Sequence, residues 1–190
     1  MDRTADRRWT GIALVLLAVT CFAVQDTLTK ALTVTYMPAL IVALRYGYSV
    51  IWLGLLLGPS QRGGLWRTNR TGLVIFRAIC QGCASLSMGL ALQRLPVAEA
   101  LSIGLTAPLA VVFLSGRLLG EVVGKARGLA ALSGFVGALV ILRPGAGLEP
   151  VGVAFAIASA VTFVLYLLTS RLLARTESPE SLSFHTAVWG

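Results

Sequence analysis

Charged side chains are scarce in this chain. Asp, Glu, Lys and Arg make up 13% of its 190 residues, about half the ~25% usual in soluble domains. Cysteine is scarcer: Cys21, Cys80 and Cys83 each lie inside an apolar run, so no disulfide framework is implied. The spacing Cys80-x-x-Cys83 lacks both a βαβ context for redox chemistry and four ligands for zinc. The cysteines read as small buried apolar side chains. Histidine occurs once, at His185, so no metal site is expected. Neither H-E-x-x-H nor G-x-x-x-x-G-K-[ST] is present, which argues against an intramembrane metallopeptidase and against direct ATP drive. No catalytic residue and no cofactor is expected. The alternation of a membrane β-barrel is also missing. Despite a net charge of +8, no basic stripe or known module points to nucleic acid.

What the chain has is apolar length. It is 56% hydrophobic with 20 glycines in addition, and its mean hydropathy is +0.82. A soluble globule of this size has too much surface to hide that content. An all-α integral membrane protein, a polytopic helix bundle, is the fold class that remains. Six apolar segments approach or reach the ~20 residues needed to cross a bilayer: 11–31, 36–57, 71–92, 97–119, 126–142 and 151–173. Breakers separate them, among them Gly58-Pro59-Ser60, Leu95-Pro96, Arg143-Pro144-Gly145 and Ser178-Pro179. Residues 1–10 are polar and basic but lack signal-peptide cleavage chemistry, so the first segment is read as a retained helix.

Orientation follows from the basic residues. With the N-terminus inside, eleven Lys and Arg residues fall on the inner side, including Arg3, Arg62, Arg117 and Arg171, against Arg94, Arg143 and the edge residue Lys30 outside. That bias predicts a cytoplasmic N-terminus, and the membrane expected is a bacterial inner membrane.

An internal repeat is visible at an offset of 141 residues. Gly11 aligns with Gly152, Phe22 with Phe163, Leu32 with Leu173, Thr35 with Thr176 and Pro38 with Pro179, while Lys30 meets Arg171. The two copies begin five helices apart. Five is odd, so the second copy is expected to be inverted, as in secondary transporters. Residues 182–190 begin a seventh segment that is too short to span a bilayer. The expectation is a fragment of a longer protein, with the second repeat incomplete.

The run from Phe76-Arg77-Ala78 through Ala91-Leu92-Gln93-Arg94-Leu95-Pro96-Val97-Ala98-Glu99-Ala100 resembles helices three and four of EamA domains in the drug/metabolite transporter superfamily. Ala107-Pro108-Leu109, Leu118-Leu119-Gly120-Glu121 and the 134–145 stretch fit as well, as do Asp26, Lys30 and Arg45-Tyr46. The resemblance implies ten helices in two inverted five-helix repeats, a central cavity and alternating access. It places the first repeat at 11–145 and the start of the second at 150–190. Its known members move amino acids, nucleotide-like metabolites, sugars or drugs. The function expected is secondary transport of a small metabolite. The alternative is a transport-inactive fragment, half-transporter or scaffold subunit that pairs with another chain. The partners expected are a small-molecule substrate and the lipid bilayer, and a homo-oligomer is compatible with this reading.

Asp26 and Lys30 stand four residues apart in favourable order on a helix, and Arg45 lies at matching depth in the second segment. Intramembrane charge faces a partner or a wet cavity. The three are candidates for a substrate or proton site, or for a structural ion pair with Lys30 snorkelling. Glu99 is either a helix N-terminal dipole partner near Arg94 or a vestibule carboxylate. Gln81, Thr106 and Tyr166 lie near mid-depth as cavity-lining or packing residues. Pro108 is a kink or hinge. Glu121 and Arg117 are expected to form an interfacial pair.

Overall fold

The computed structural model describes residues 3–61, 66, 68–118, 125–142 and 147–190. Among these residues there are eight helices and no strand: α1 (Arg3–Leu32), α2 (Pro38–Gln61), α3 (Thr71–Arg94), α4 (Val97–Gly104), α5 (Thr106–Leu118), α6 (Lys125–Leu142), α7 (Pro150–Leu173) and α8 (Pro179–Trp189). Five spans are long and apolar enough to cross a membrane: α1, α2, α3, the α4–α5 pair and α7. Large apolar side chains such as Leu16, Phe22, Leu44, Ile51 and Val161 are exposed along them, which is the surface a bilayer covers. The chain is an integral membrane protein.

The fourth predicted segment is one span with a break. α4 ends at Gly104 and α5 starts at Thr106. Pro108 sits four residues beyond Gly104, has no N–H to offer its carbonyl and crowds it with the ring. Thr106 Oγ1 donates to Ile103 O at 2.6 Å and supplies one local substitute bond. Glu121 lies outside the described residues, so its expected pairing with Arg117 has no structural counterpart here.

α3 is the axis of the bundle and packs most extensively on α7, then on α8 and α2. Small residues make this approach close. Ala78, Gly82, Ala84, Gly89 and Ala91 are buried on α3, and Gly152, Ala156, Ser159 and Ala160 on α7. Ser159 Oγ donates to Ala84 O across the interface at 2.8 Å. A Cβ on Gly152 would lie 2.8 Å from Leu95 Cγ and 3.0 Å from Arg94 Cβ, so only glycine allows this crossing distance. Apolar clusters close the packing near both ends of α3: Leu92, Leu95, Ile103 and Ala156 at one, Val74, Leu173 and Leu182 at the other.

The 141-residue repeat has a structural counterpart in two matching corners. Between α1 and α2, Leu32 O accepts from the N–H groups of Thr35 at 3.1 Å and Tyr36 at 2.9 Å. Between α7 and α8, Leu173 O accepts from Thr176 at 3.0 Å and Glu177 at 2.9 Å. Each corner leads into a helix that opens on proline, Pro38 or Pro179, where the missing N–H has no intrahelical partner to lose.

These corners hold opposite ends of α3. At its C-terminal end, Lys30 Nζ donates to Leu95 O at 3.0 Å and to Leu92 O, and Gln93 Nε2 donates to Thr33 O at 3.3 Å. At its N-terminal end, Glu177 Oε1 accepts from the backbone N–H groups of Asn69 at 2.8 Å and Arg70 at 3.0 Å. Asn69 Nδ2 donates to Thr176 O at 2.8 Å. An ammonium on the carbonyl end and a carboxylate on the N–H end both complement the helix dipole. The two matching corners thus sit at opposite ends of α3.

Candidate functional site

α3 carries a buried cation. Arg77 enters the apolar run about 9 Å from the start of α3, at 1.5 Å per residue, and is 7% exposed. A charge at membrane depth costs about 2.5–3.5 kcal/mol on insertion scales. Charge-assisted hydrogen bonds contribute about 1.5–3 kcal/mol each, so a few of them offset that cost. Arg77 has four. Nε donates to Ser170 Oγ at 2.6 Å, Nη1 to Leu182 O at 3.1 Å and Thr186 Oγ1 at 2.6 Å, and Nη2 to the Tyr166 hydroxyl at 3.0 Å. Its guanidinium carbon also lies 4.5 Å from the Tyr166 ring centroid, a cation–π distance. Phe163 stacks on Tyr166 with centroids 5.6 Å apart. One side chain therefore ties α3 to α7 and α8.

Beside Arg77 is a cavity of about 210 Å³ bounded by α2, α3, α7 and α8. Tyr46, Ser49 and Leu53 line it from α2, and Ser183, Thr186 and Ala187 from α8. The inward stripe of α2 recurs with helical period: Ile41, Val42, Arg45, Tyr46, Ser49 and Val50 are half-buried between exposed neighbours. Tyr46 is fixed by its hydroxyl, 3.1 Å from Ser85 Oγ. Ser49 Oγ donates to Arg45 O at 2.8 Å. The result is a cavity lined by a guanidinium, two phenols and three aliphatic hydroxyls, with Leu53 and Ala187 as its apolar wall.

With this geometry in place, comparison with known proteins is direct. The EamA-like transporter family matches residues 9–143. The chain belongs to that family. Among its curated relatives, the "Riboflavin transporter" of Brucella anthropi is 29% identical over 174 residues, covering 90% of this chain and 61% of that protein. The "Riboflavin transporter" of Vibrio cholerae is 29% identical over 184 residues, covering 90% and 59%. An "Uncharacterized transporter" of Helicobacter pylori is 26% identical over 164 residues, covering 85% and 55%. The chain thus spans about three-fifths of the length of the first relatives. No solved structure matches it.

In this EamA-family chain the expected site residues fall into separate groups. Tyr166 joins the Arg77 cavity. Asp26 and Arg45 are half-buried on α1 and α2, with no direct ion pair between them. Arg45 also lies 5.1 Å from the Tyr46 ring centroid. Lys30 does not pair with Asp26 or snorkel; it caps the carbonyl end of α3. Glu99 occupies the first turn of α4 without a capping bond, and its expected neighbour Arg94 pairs with Glu149 instead. Glu99 Oε2 and Gln81 Oε1 are buried atoms with no hydrogen-bond partner. The Thr106 hydroxyl is absorbed locally by Ile103 O. Of the cysteines, Cys80 is buried as expected while Cys21 and Cys83 are exposed on their helices. His185 is buried, with Nδ1 2.9 Å from Ser181 O.

Arg77 stood in the Phe76-Arg77-Ala78 motif with no role assigned to it. The signal was available: a guanidinium six residues inside an apolar run has to face protein or water. Its partners on α7 and α8 lie 89 to 109 residues away and have no local signature.

Proposed function

We propose that this chain carries the translocation core of a secondary transporter for a small polar metabolite, working by alternating access between inverted repeats. The observation that supports it most is the Arg77 cavity, polar side chains converging at membrane depth where apolar packing would otherwise continue. The repeats are taken as 11–145 and 150 onward, the N-terminus as cytoplasmic on the basic-residue bias, and the membrane as the bacterial inner membrane, in line with the bacterial sources of the relatives. The Arg77 cavity then occupies the cytoplasmic half, and Asp26 with Arg45 forms a second charged locus in the outer half. Asp26 or Glu99 is the candidate for proton coupling, and Gln81 lines the path between the two loci. Pro108 supplies the flexible point of the fourth span.

Two relatives named riboflavin transporters make riboflavin the first solute to test. The chain is reconstituted in proteoliposomes and counterflow of labelled riboflavin is followed. Saturable exchange is expected, with Asp26→Asn and Arg45→Gln reducing it at least tenfold while both variants still insert. Absence of exchange for riboflavin and for a panel of small polar metabolites would refute the transport reading. Wild-type flux in both variants would remove the outer charge locus.

A further inference from the structure

We infer that the Arg77 cavity is a binding site for a small organic anion, a carboxylate carried on a planar or aromatic group. The inference rests on the transport reading for its biological use, but the site stands on its own geometry. A guanidinium offers five N–H donors. Four are used, and every acceptor is neutral: two hydroxyls of serine and threonine, one phenol and one carbonyl. One Nη2 hydrogen is left without a partner among the described residues, on a side chain that lines the cavity.

The positive charge is equally uncompensated. No carboxylate among the described residues stands within ion-pairing distance of it. Glu149 pairs with Arg94, Glu177 caps the start of α3, Glu99 sits on α4 and Glu180 in the first turn of α8. Asp26 lies on α1, which contributes no residue to the lining of the cavity. None of them forms an ion pair with Arg77. A buried cation held by neutral groups has most of its hydrogen bonds made but its charge unpaired. An anion entering from the cavity supplies what the protein omits, and the planar guanidinium suits a carboxylate.

The walls define the rest of the ligand. Tyr46 and Tyr166 flank the space, and Leu53 and Ala187 add apolar surface. Ser49 and Ser183 provide hydroxyls whose protons are engaged with Arg45 O and Pro179 O, leaving them as acceptors for one ligand N–H or O–H. A ligand carboxylate competes with Leu182 O and Thr186 Oγ1 for the same guanidinium, so binding is coupled to the seat of α8 on α3.

The test uses the full chain in detergent micelles at fixed ionic strength, with benzoate, its neutral isostere benzamide and the cation benzylamine as probes. Calorimetry reads affinity, and the unfolding midpoint gives an independent readout. Benzoate is expected to bind at least tenfold more tightly than benzamide, and benzylamine not at all. Arg77→Lys keeps the charge without the fork and is expected to weaken benzoate about tenfold while preserving its preference over benzamide. Arg77→Gln is expected to abolish the preference; if that variant does not fold, the wild-type probe ratio and Arg77→Lys still decide. Equal affinities for benzoate and benzamide, or unchanged benzoate affinity in Arg77→Lys, would overturn the inference. Riboflavin exchange without benzoate binding would overturn the anion site and leave transport standing. Benzoate binding without any exchange would do the reverse.

Discussion

Two basic side chains with similar sequence credentials have different jobs. Lys30 and Arg77 are both cations set in apolar runs, yet one ends on backbone carbonyls and the other beside a cavity. The difference is positional. Lys30 reaches the last turn of α3, where carbonyls have no intrahelical donor, so its ammonium is consumed structurally. Lys30→Met is expected to lower unfolding stability in micelles by about 1–3 kcal/mol, the scale of losing charge-assisted hydrogen bonds. An unchanged midpoint would remove Lys30 from the grip on α3. At this scale the sequence showed which residues were expensive to bury and not where each one would find its partner. Asp26 and Lys30 share a helical face by spacing, but Lys30 reaches the carbonyls at the end of α3 instead. Glu99 and Arg94 are five positions apart, and Glu149, 55 residues from Arg94, takes the pair instead.

Among the helices, closeness is set by what is missing from side chains. Gly152 sits where any Cβ meets Leu95 and Arg94, whereas a Cβ on Gly47 of α2 meets nothing within 4 Å. The two glycines therefore predict opposite signs. Gly152→Ala is expected to destabilise the chain by about 1–3 kcal/mol through overpacking at the α3–α7 crossing. Gly47→Ala is expected to be neutral or to stabilise, by up to about 1 kcal/mol, through helix propensity alone. Equal effects in the same unfolding assay would show that the α3–α7 approach is not limiting. Continuous apolar runs made the spans legible, and Pro108 marked the place where the fourth one breaks. The choice of α7 as the main neighbour of α3 was not legible, because small residues occur on several helices and only their three-dimensional register decides which stripes meet.

For the molecule as a whole, the proposed inversion of the two copies makes a prediction about sidedness. Met37 and Arg175 are exposed residues in the two matching corners. With Cys21, Cys80 and Cys83 replaced by serine, an impermeant maleimide added to intact cells is expected to label Met37→Cys and spare Arg175→Cys. Labelling of Arg175→Cys alone would reverse the proposed orientation. Labelling of both from one side would contradict the inversion itself. The repeat could be read in the sequence because Pro38 and Pro179 end the same turn. That one helix joins the two corners could not, since α3 belongs to neither.

Clamping α3 at both ends turns its length into a specification. A residue inserted between Val74 and Leu92 would rotate one end against the other by about 100° and lengthen the rod by about 1.5 Å. Lys30 and Glu177 would then find their targets on different sides of the helix, and Arg77 would keep its chamber only by abandoning one clamp. Side chains along α3 are open to exchange one at a time, but the number of residues between its clamps is not, so the helix works as a gauge block that sets the spacing between the two membrane faces.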